Sequence, residues 1–130
     1  MNKPKIVMKV TKEDSGFSAS TTIQGNFIGT QGESLDQLKE SILEAVNLTF
    51  EDKGFVYRID EIILKPDLQS FFEFYNVINA KALSERIGMN QSLLAQYIKG
   101  IKKPSSSQTL RILKGVQKVG KELAAIQFLL

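Results

Sequence analysis

The chain has 130 residues with 17 Lys and Arg against 14 Asp and Glu, and it contains neither cysteine nor histidine. Their absence excludes disulfides, thiol nucleophiles, Cys/His zinc sites and histidine-dependent catalytic pairs. Apolar residues make up 42% of the sequence, enough to bury a core, and the length suits one ordinary domain or two small ones. No apolar run approaches the roughly 20 residues of a membrane span, and residues 1–4 lead into no signal-peptide core. We therefore expect a soluble cytoplasmic protein.

The charges divide unevenly along the chain. Residues 1–65 carry eight basic and ten acidic side chains, a net charge of −2, whereas residues 66–130 carry nine basic and four acidic ones, a net charge of +5. A basic half joined to a mildly acidic half indicates a nucleic-acid-binding domain attached to a domain with another partner.

The first half predicts strands around one helix. Lys5–Val10 and Phe17–Ile23 alternate between apolar and polar residues, as half-buried strands do. The next segment is expected to be a loop because it contains three closely spaced glycines: Gly25, Gly29 and Gly32. We therefore predict a small antiparallel sheet with the helix after it.

The helix begins at a capping box. In Ser34-Leu35-Asp36-Gln37 the Ser34 hydroxyl can accept from a first-turn amide while Gln37 reaches back. Apolar residues then recur at helical spacing to about Leu48–Phe50. After Gly54, the apolar run Val56–Lys65 predicts a long final strand.

Pro66-Asp67 marks the predicted domain boundary, because proline and aspartate favour the first turn of a helix. Residues 66–130 are predicted to be all helical. The first of these helices has an apolar face that its spacing identifies as Leu68, Phe71, Phe72, Tyr75 and Ile78. The predicted class is α+β, with domains at residues 1–65 and 66–130.

Two short helices with a glycine between them follow. Ala82, Leu83 and Ile87 can pack inward from the first helix, which Gly88 ends with left-handed geometry. Asn90 is the predicted N-cap of the second helix, which runs to Lys99. Ser105 and Gln108 have the spacing of a capping box and predict the start of a further helix. Its apolar residues are Leu110, Leu113 and Val116. This is the helix-turn-helix pattern.

Residues 66–130 resemble the Cro/repressor family of DNA-binding domains. The matching residues are Leu83-Ser84-Glu85, Gly88, Met89-Asn90-Gln91-Ser92, Leu94, Gly100, Lys102, Pro104, Ser105 and Thr109-Leu110. The resemblance implies that the second helix contacts DNA. Its predicted DNA-binding residues are Asn90, Gln91, Ser92, Gln96, Lys99, Lys102 and Lys103, with glutamine and serine toward base edges and lysine toward phosphates. The alternative is a helical bundle that does not bind DNA.

The first half resembles the HicB antitoxin family. The segment GNFIGTQGESLDQLKESILEAV follows two strands and precedes another, and its matching residues are Gly25, Thr30, Gly32, Glu33 and Ser34. The resemblance implies a degenerate RNase H-like domain. It also implies a partner, a small basic HicA-like ribonuclease toxin whose active site the antitoxin blocks.

Retained nuclease chemistry would need clustered carboxylates that hold divalent metal ions. The first strand contains no acid, and only Glu44, Asp60 and Glu61 remain as candidates. Asp60 and Glu61, adjacent on a strand, would point to opposite faces. We therefore expect a protein that is not an enzyme and has no catalytic residue, metal or cofactor.

These observations predict a type II antitoxin that also represses its own operator. The alternative is a free-standing repressor whose first domain senses a ligand or dimerises. We further expect at least a homodimer, because one such domain makes few base contacts and the run KELAAIQFLL offers apolar surface at the end of the chain.

Overall fold

The computed structural model describes residues 2–130. Its strands are β1 (Ile6–Lys12), β2 (Phe17–Ile23), β3 (Asn26–Gly32) and β4 (Ile62–Pro66), and its helices are α1 (Leu35–Thr49), α2 (Leu68–Phe74), α3 (Ala80–Ile87), α4 (Gln91–Ile98) and α5 (Ser106–Ala124). The α+β class is therefore as predicted. The chain forms two compact units, Met1–Phe74 and Tyr75–Leu130. Within the described residues, no helix combines the length and apolar character needed to cross a membrane.

The sheet of the first unit is mixed rather than antiparallel. Its strand order is β3-β2-β1-β4, with β1, β2 and β3 antiparallel and β4 parallel to β1. The prediction is wrong at β4. A parallel neighbour requires a crossover connection, and α1 supplies it by carrying the chain from the β3 edge to the opposite edge of the sheet.

The predicted glycine loop is also wrong, because most of it forms β3. Gln24 and Gly25 both adopt positive φ, 51° and 81°, and join β2 to β3 in a two-residue hairpin. Gly32 then lies so close to α1 that an added Cβ would stand 2.6 Å from the Leu38 amide nitrogen. That glycine is therefore a packing residue, which lets α1 approach the sheet.

Helix α1 and its start agree with the prediction. The Ser34 side chain accepts a hydrogen bond from the Gln37 N–H at 3.2 Å, while the Gln37 side chain accepts from the Glu33 N–H at 2.6 Å. The reciprocal bond thus falls one residue before the N-cap. The core between α1 and the sheet consists of fully buried side chains that include Ile6, Met8, Val10, Leu38, Ile42, Val46 and Phe50.

The long final strand is shorter than predicted, because it begins only at Ile62. Before it, the Asn47 side chain accepts from the Tyr57 N–H at 2.7 Å and donates to the Tyr57 carbonyl at 3.2 Å. These two bonds occupy the backbone groups that a strand ladder would use. Asp60 and Glu61 then lie in a 3₁₀ turn, Ile59–Glu61, rather than alternating along a strand.

Helix α2 belongs to the first unit, although the sequence places the boundary before it, at Pro66-Asp67. The Asp67 carboxylate accepts from the Ser70 N–H at 2.8 Å and from the Lys12 N–H at 3.1 Å. The Phe74 ring lies 4.5 Å from the Phe17 ring. Helix α2 is thus tied to β1 and β2 at both of its ends.

In the second unit, α3 contacts both α4 and α5. The interior faces differ from the prediction: Ala82, Leu110 and Leu113 are exposed, whereas Ser84 and Ile112 are buried. The close approach of α3 to Gly115 explains which face of α5 is buried. An added Cβ there would lie 2.3 Å from the Ile87 Cγ2 methyl. The face of α5 that carries Ile112 and Gly115 therefore packs on α3.

The two glycines within α5 provide a matched test of this packing. Gly115→Ala forces the Ile87 side chain to move, and we expect it to lower the free energy of unfolding by about 1–3 kcal/mol. Gly120→Ala meets nothing within 4 Å and improves helix propensity, so it should raise stability by up to about 1 kcal/mol. Urea denaturation of the full chain measures both. Equal changes of the same sign would contradict the close approach.

Candidate nucleic-acid interface

The turn between α3 and α4 begins at a glycine with left-handed backbone geometry. Gly88 has φ 65° and ψ 30°, and its N–H and that of Met89 donate to the last turn of α3, at Glu85 and Ser84. Only glycine adopts this conformation without steric cost. The predicted role of Gly88 is therefore confirmed.

The start of α4 is fixed by a side-chain cap and by apolar packing. The Asn90 side chain accepts from the Leu93 N–H at 3.2 Å, as predicted for an N-cap. Met89, directly before the cap, and Leu94 are both buried. These two positions are those of a hydrophobic staple, which sets the angle at which the chain enters a helix.

Arg111 on α5 holds the same turn from outside. Its Nη2 donates to the carbonyls of Ile87 and Gly88, both at 2.7 Å, and its Nε donates to Ile87 at 3.1 Å. A guanidinium is favourable there because the C-terminal carbonyls of a helix carry partial negative charge. Sequence reasoning missed this residue, since no local pattern links Arg111 to carbonyls more than 20 residues earlier.

The outer face of α4 carries the predicted base-reading side chains. Gln91, Ser92 and Gln96 are exposed, whereas Leu94 and Tyr97 point into the unit and are buried. Ser92 and Gln96 are four residues apart and are therefore neighbours on the helix surface, whereas Gln91 lies roughly 100° around the helix from Ser92. The structure therefore exposes all three polar side chains on α4.

The predicted lysines surround the end of α4. Gly100 has φ 75°, and the N–H groups of Ile101 and Lys102 both donate to the Gln96 carbonyl, which closes the helix. Lys99, Lys102 and Lys103 are all exposed. Shortly after them, α5 begins at the predicted Ser105 cap, whose hydroxyl accepts from the Gln108 N–H at 3.2 Å. A basic, irregular turn thus follows the polar face of α4.

A second arginine of this unit is already paired. The Arg86 guanidinium donates to both oxygens of Glu122, at 2.8 and 3.2 Å. These hydrogen bonds lower the pKa of the Glu122 carboxyl and raise the pKa of Arg86. The pair ties α3 to the C-terminal part of α5, and it leaves Arg86 a poorer phosphate ligand than an unpaired arginine.

This pair gives the unit a defined acid sensitivity. A carboxyl whose pKa is lower when folded than when unfolded stabilises the fold above its unfolded pKa of about 4.3, and this contribution is lost as the pH falls through the folded pKa. We expect the melting temperature of the wild type to fall more between about pH 5 and pH 3 than that of Glu122→Gln. Glu85→Gln removes an exposed acid of the same unit and serves as the control. Parallel pH profiles for all three proteins would contradict a stabilising pair.

The acids considered for nuclease chemistry lie in separate elements of the first unit. Glu44 is on the exposed side of α1, whereas Asp60 and Glu61 lie in the turn before β4. Lys3 Nζ lies 2.8 Å from Glu61, and its hydrogen bond lowers the pKa of that carboxyl. Among residues 2–130, no group of three or more His, Cys, Asp or Glu side chains could hold a metal ion.

Comparison of the chain with models of known families, with curated proteins and with solved structures finds no match.

Proposed function

We propose that the protein is a DNA-binding repressor and the antitoxin of a type II toxin–antitoxin pair. In this proposal the second unit binds operator DNA and the first unit binds the toxin. One observation supports the DNA-binding half above all others. A short helix with an exposed polar face is held at a fixed angle by a left-handed glycine, an asparagine cap and an arginine clamp.

The exposed face of α4 has the chemistry of direct base readout. A glutamine side chain can both donate to and accept from adenine in the major groove, a pairing that discriminates by about 1–3 kcal/mol. In this proposal Gln91, in the first turn of α4, and Gln96, five residues later, make such contacts. The side-chain oxygen of Asn90 is bonded to the Leu93 N–H and sets the start of α4, and in this proposal its side-chain NH2 donates to DNA.

The lysines at the end of α4 suit a different contact. Flexible ammonium groups attract phosphates irrespective of sequence, and they position a protein on the duplex without reading it. Lys102 and Lys103 lie in the exposed turn directly after α4. The two residue types should therefore contribute separately to affinity and specificity.

Substitutions of the glutamines and of the lysines should affect DNA binding differently. Gln91→Ala or Gln96→Ala should lower affinity mainly for the cognate operator, by roughly 5- to 150-fold, because alanine cannot hydrogen-bond a base edge. Lys102→Ala or Lys103→Ala should weaken binding to all duplexes and reduce the slope of the salt dependence by about 0.9 for each phosphate that is no longer neutralised. Titrations on operator and scrambled duplexes at several salt concentrations measure both.

Gln117→Ala, on the exposed side of α5, is the matched glutamine control and should change neither affinity. Equal reductions on operator and scrambled DNA from the α4 glutamine variants would show that this helix does not read bases. No change from the lysine variants would exclude the basic turn from the interface.

The first unit supports the other half of the proposal. Residues 1–65 carry a net charge of −2, and their resemblance to HicB antitoxins implies a small basic ribonuclease as the partner. We propose a non-enzymatic role in the cytoplasm, with inhibition by binding. The competing function is a free-standing repressor whose first unit senses a ligand or dimerises. A neighbouring reading frame for a short basic protein would favour the antitoxin.

Homodimerisation through the end of the second unit completes the proposal. Leu123 and Ile126 are more than half exposed, and Phe128 is 84% exposed, so the helix end and the following residues offer an apolar surface. Two copies joined there could read two half-sites about one helical turn apart.

The dimer contact can be tested without disturbing the Arg86–Glu122 pair. We expect the full chain to sediment as a dimer, and a Phe128→Ser, Leu129→Ser double variant to sediment as a monomer at the same concentration, because the substitutions remove apolar surface from the interface. Val77→Ser removes an apolar side chain that is 86% exposed elsewhere in the unit, and it should leave the dimer intact. A dimer that survives the double variant would exclude this surface.

A further inference from the structure

The first unit carries an open groove at the C-terminal end of α1. Its walls are the last turns of this helix and the chain that returns from Gly54, and its volume is about 430 Å³. The groove, called here the acidic groove, is lined by Glu44, Asn47, Leu48, Glu51, Gly54, Phe55 and Val56. Leu48 is 70% exposed and Val56 is 73% exposed, so two aliphatic side chains from separate segments stand in solvent beside the same groove.

The groove has a rigid floor. The Asn47 side chain bonds both backbone groups of Tyr57, at 2.7 and 3.2 Å, and so fixes the returning chain to α1. Beneath it, Phe50 is fully buried, with its ring centroid 6.4 Å from Phe55 and 5.8 Å from Tyr57. A preformed surface binds without the entropic cost of ordering itself.

The charge of the groove identifies the chemistry that would cover it. Between Leu35 and Val56 the chain carries five carboxylates and two lysines. Glu44 and Glu51 line the groove, and neither forms an ion pair with any residue from 2 to 130. Lys53, the nearest lysine in sequence to Glu51, instead donates to Gln24 at 3.4 Å. Two unpaired carboxylates therefore flank the exposed aliphatic side chains.

We propose that the acidic groove binds a cationic amphipathic segment of a partner protein. The apolar side chains of this segment would pack against Leu48 and Val56, and its lysines or arginines would pair with Glu44 and Glu51. The inference deepens the proposed antitoxin function, on which the identity of the partner rests, by placing the partner on this groove. Exposed apolar side chains within a charged rim are typical of protein-binding surfaces.

The test uses two synthetic 16-residue helical peptides with the same leucine spacing, one with lysine at all other positions and one with glutamate. The ¹⁵N-labelled full chain is titrated with each and followed by NMR. We expect the lysine peptide to shift the amides of residues 47–48 and 54–56, and the glutamate peptide to shift none. Leu48→Gln should weaken binding about tenfold, because it removes the burial of one leucine.

Charge variants separate a specific groove from general attraction to an acidic unit. Glu44→Gln with Glu51→Gln should weaken binding of the lysine peptide about fivefold or more, whereas Asp14→Asn with Asp36→Asn removes the same charge elsewhere and should change binding less than twofold. Equal binding of both peptides, equal weakening from both charge pairs, or shifts confined to other residues would each overturn the proposal. Concentration-dependent shifts at the groove without peptide would assign it to a second copy of the chain instead.

The two proposals can fail separately. Operator titration of the full chain depends on α4 and does not involve the groove variants. If the chain does not bind operator DNA but still binds the lysine peptide, the repressor function is overturned and the proposal for the acidic groove stands. Intact operator binding without a groove response would overturn only the present inference.

Discussion

The hydrogen bonds from Arg111 to the end of α3 are the interaction on which the candidate interface depends. Three donors of one guanidinium meet the carbonyls of Ile87 and Gly88, where α3 would otherwise leave its last acceptors to solvent. The same contact joins α5 to the turn, so α3, α4 and α5 share one fixed point. Gly88 alone permits the turn, whereas Arg111 favours one orientation of α4 over the others that a glycine allows.

Pairing within each unit decides which charges remain for partners. In the second unit, Arg86 is paired with Glu122, whereas Lys102 and Lys103 after α4 form no ion pair with any residue from 2 to 130. In the first unit, Lys3 pairs with Glu61 and Lys12 with Glu73, and the groove carboxylates Glu44 and Glu51 form no ion pair with any residue from 2 to 130. The small net charges of the two halves thus understate the local contrast between the surfaces.

Local features of the fold could be predicted from the sequence because the hydrogen bonds that form them join residues within about four positions of each other. The Ser34, Asn90 and Ser105 caps and the left-handed Gly88 are satisfied by backbone groups of the same turn. The exposed positions of Gln91 and Gln96 follow from the same short periodicity, so the α4 part of the candidate site needs no tertiary information. The Arg111 clamp and the acidic groove do need it, since each joins segments that are distant in sequence.

Two of the wrong predictions share one cause, which is that glycine has more than one use. Gly25 does mark a turn, but Gly32 and Gly115 are places where another element approaches too closely for a Cβ. The sequence alone does not distinguish a glycine in a turn from a glycine at a close contact. Its pattern therefore predicts a loop at β3 and places Leu113 in the interior instead of Ile112. The predicted strand before β4 fails for a different reason, because the Asn47 amide competes with a neighbouring strand for the backbone of Tyr57. That competition also holds Val56 beside Leu48, so a segment that sequence periodicity predicts wrongly forms one wall of the acidic groove.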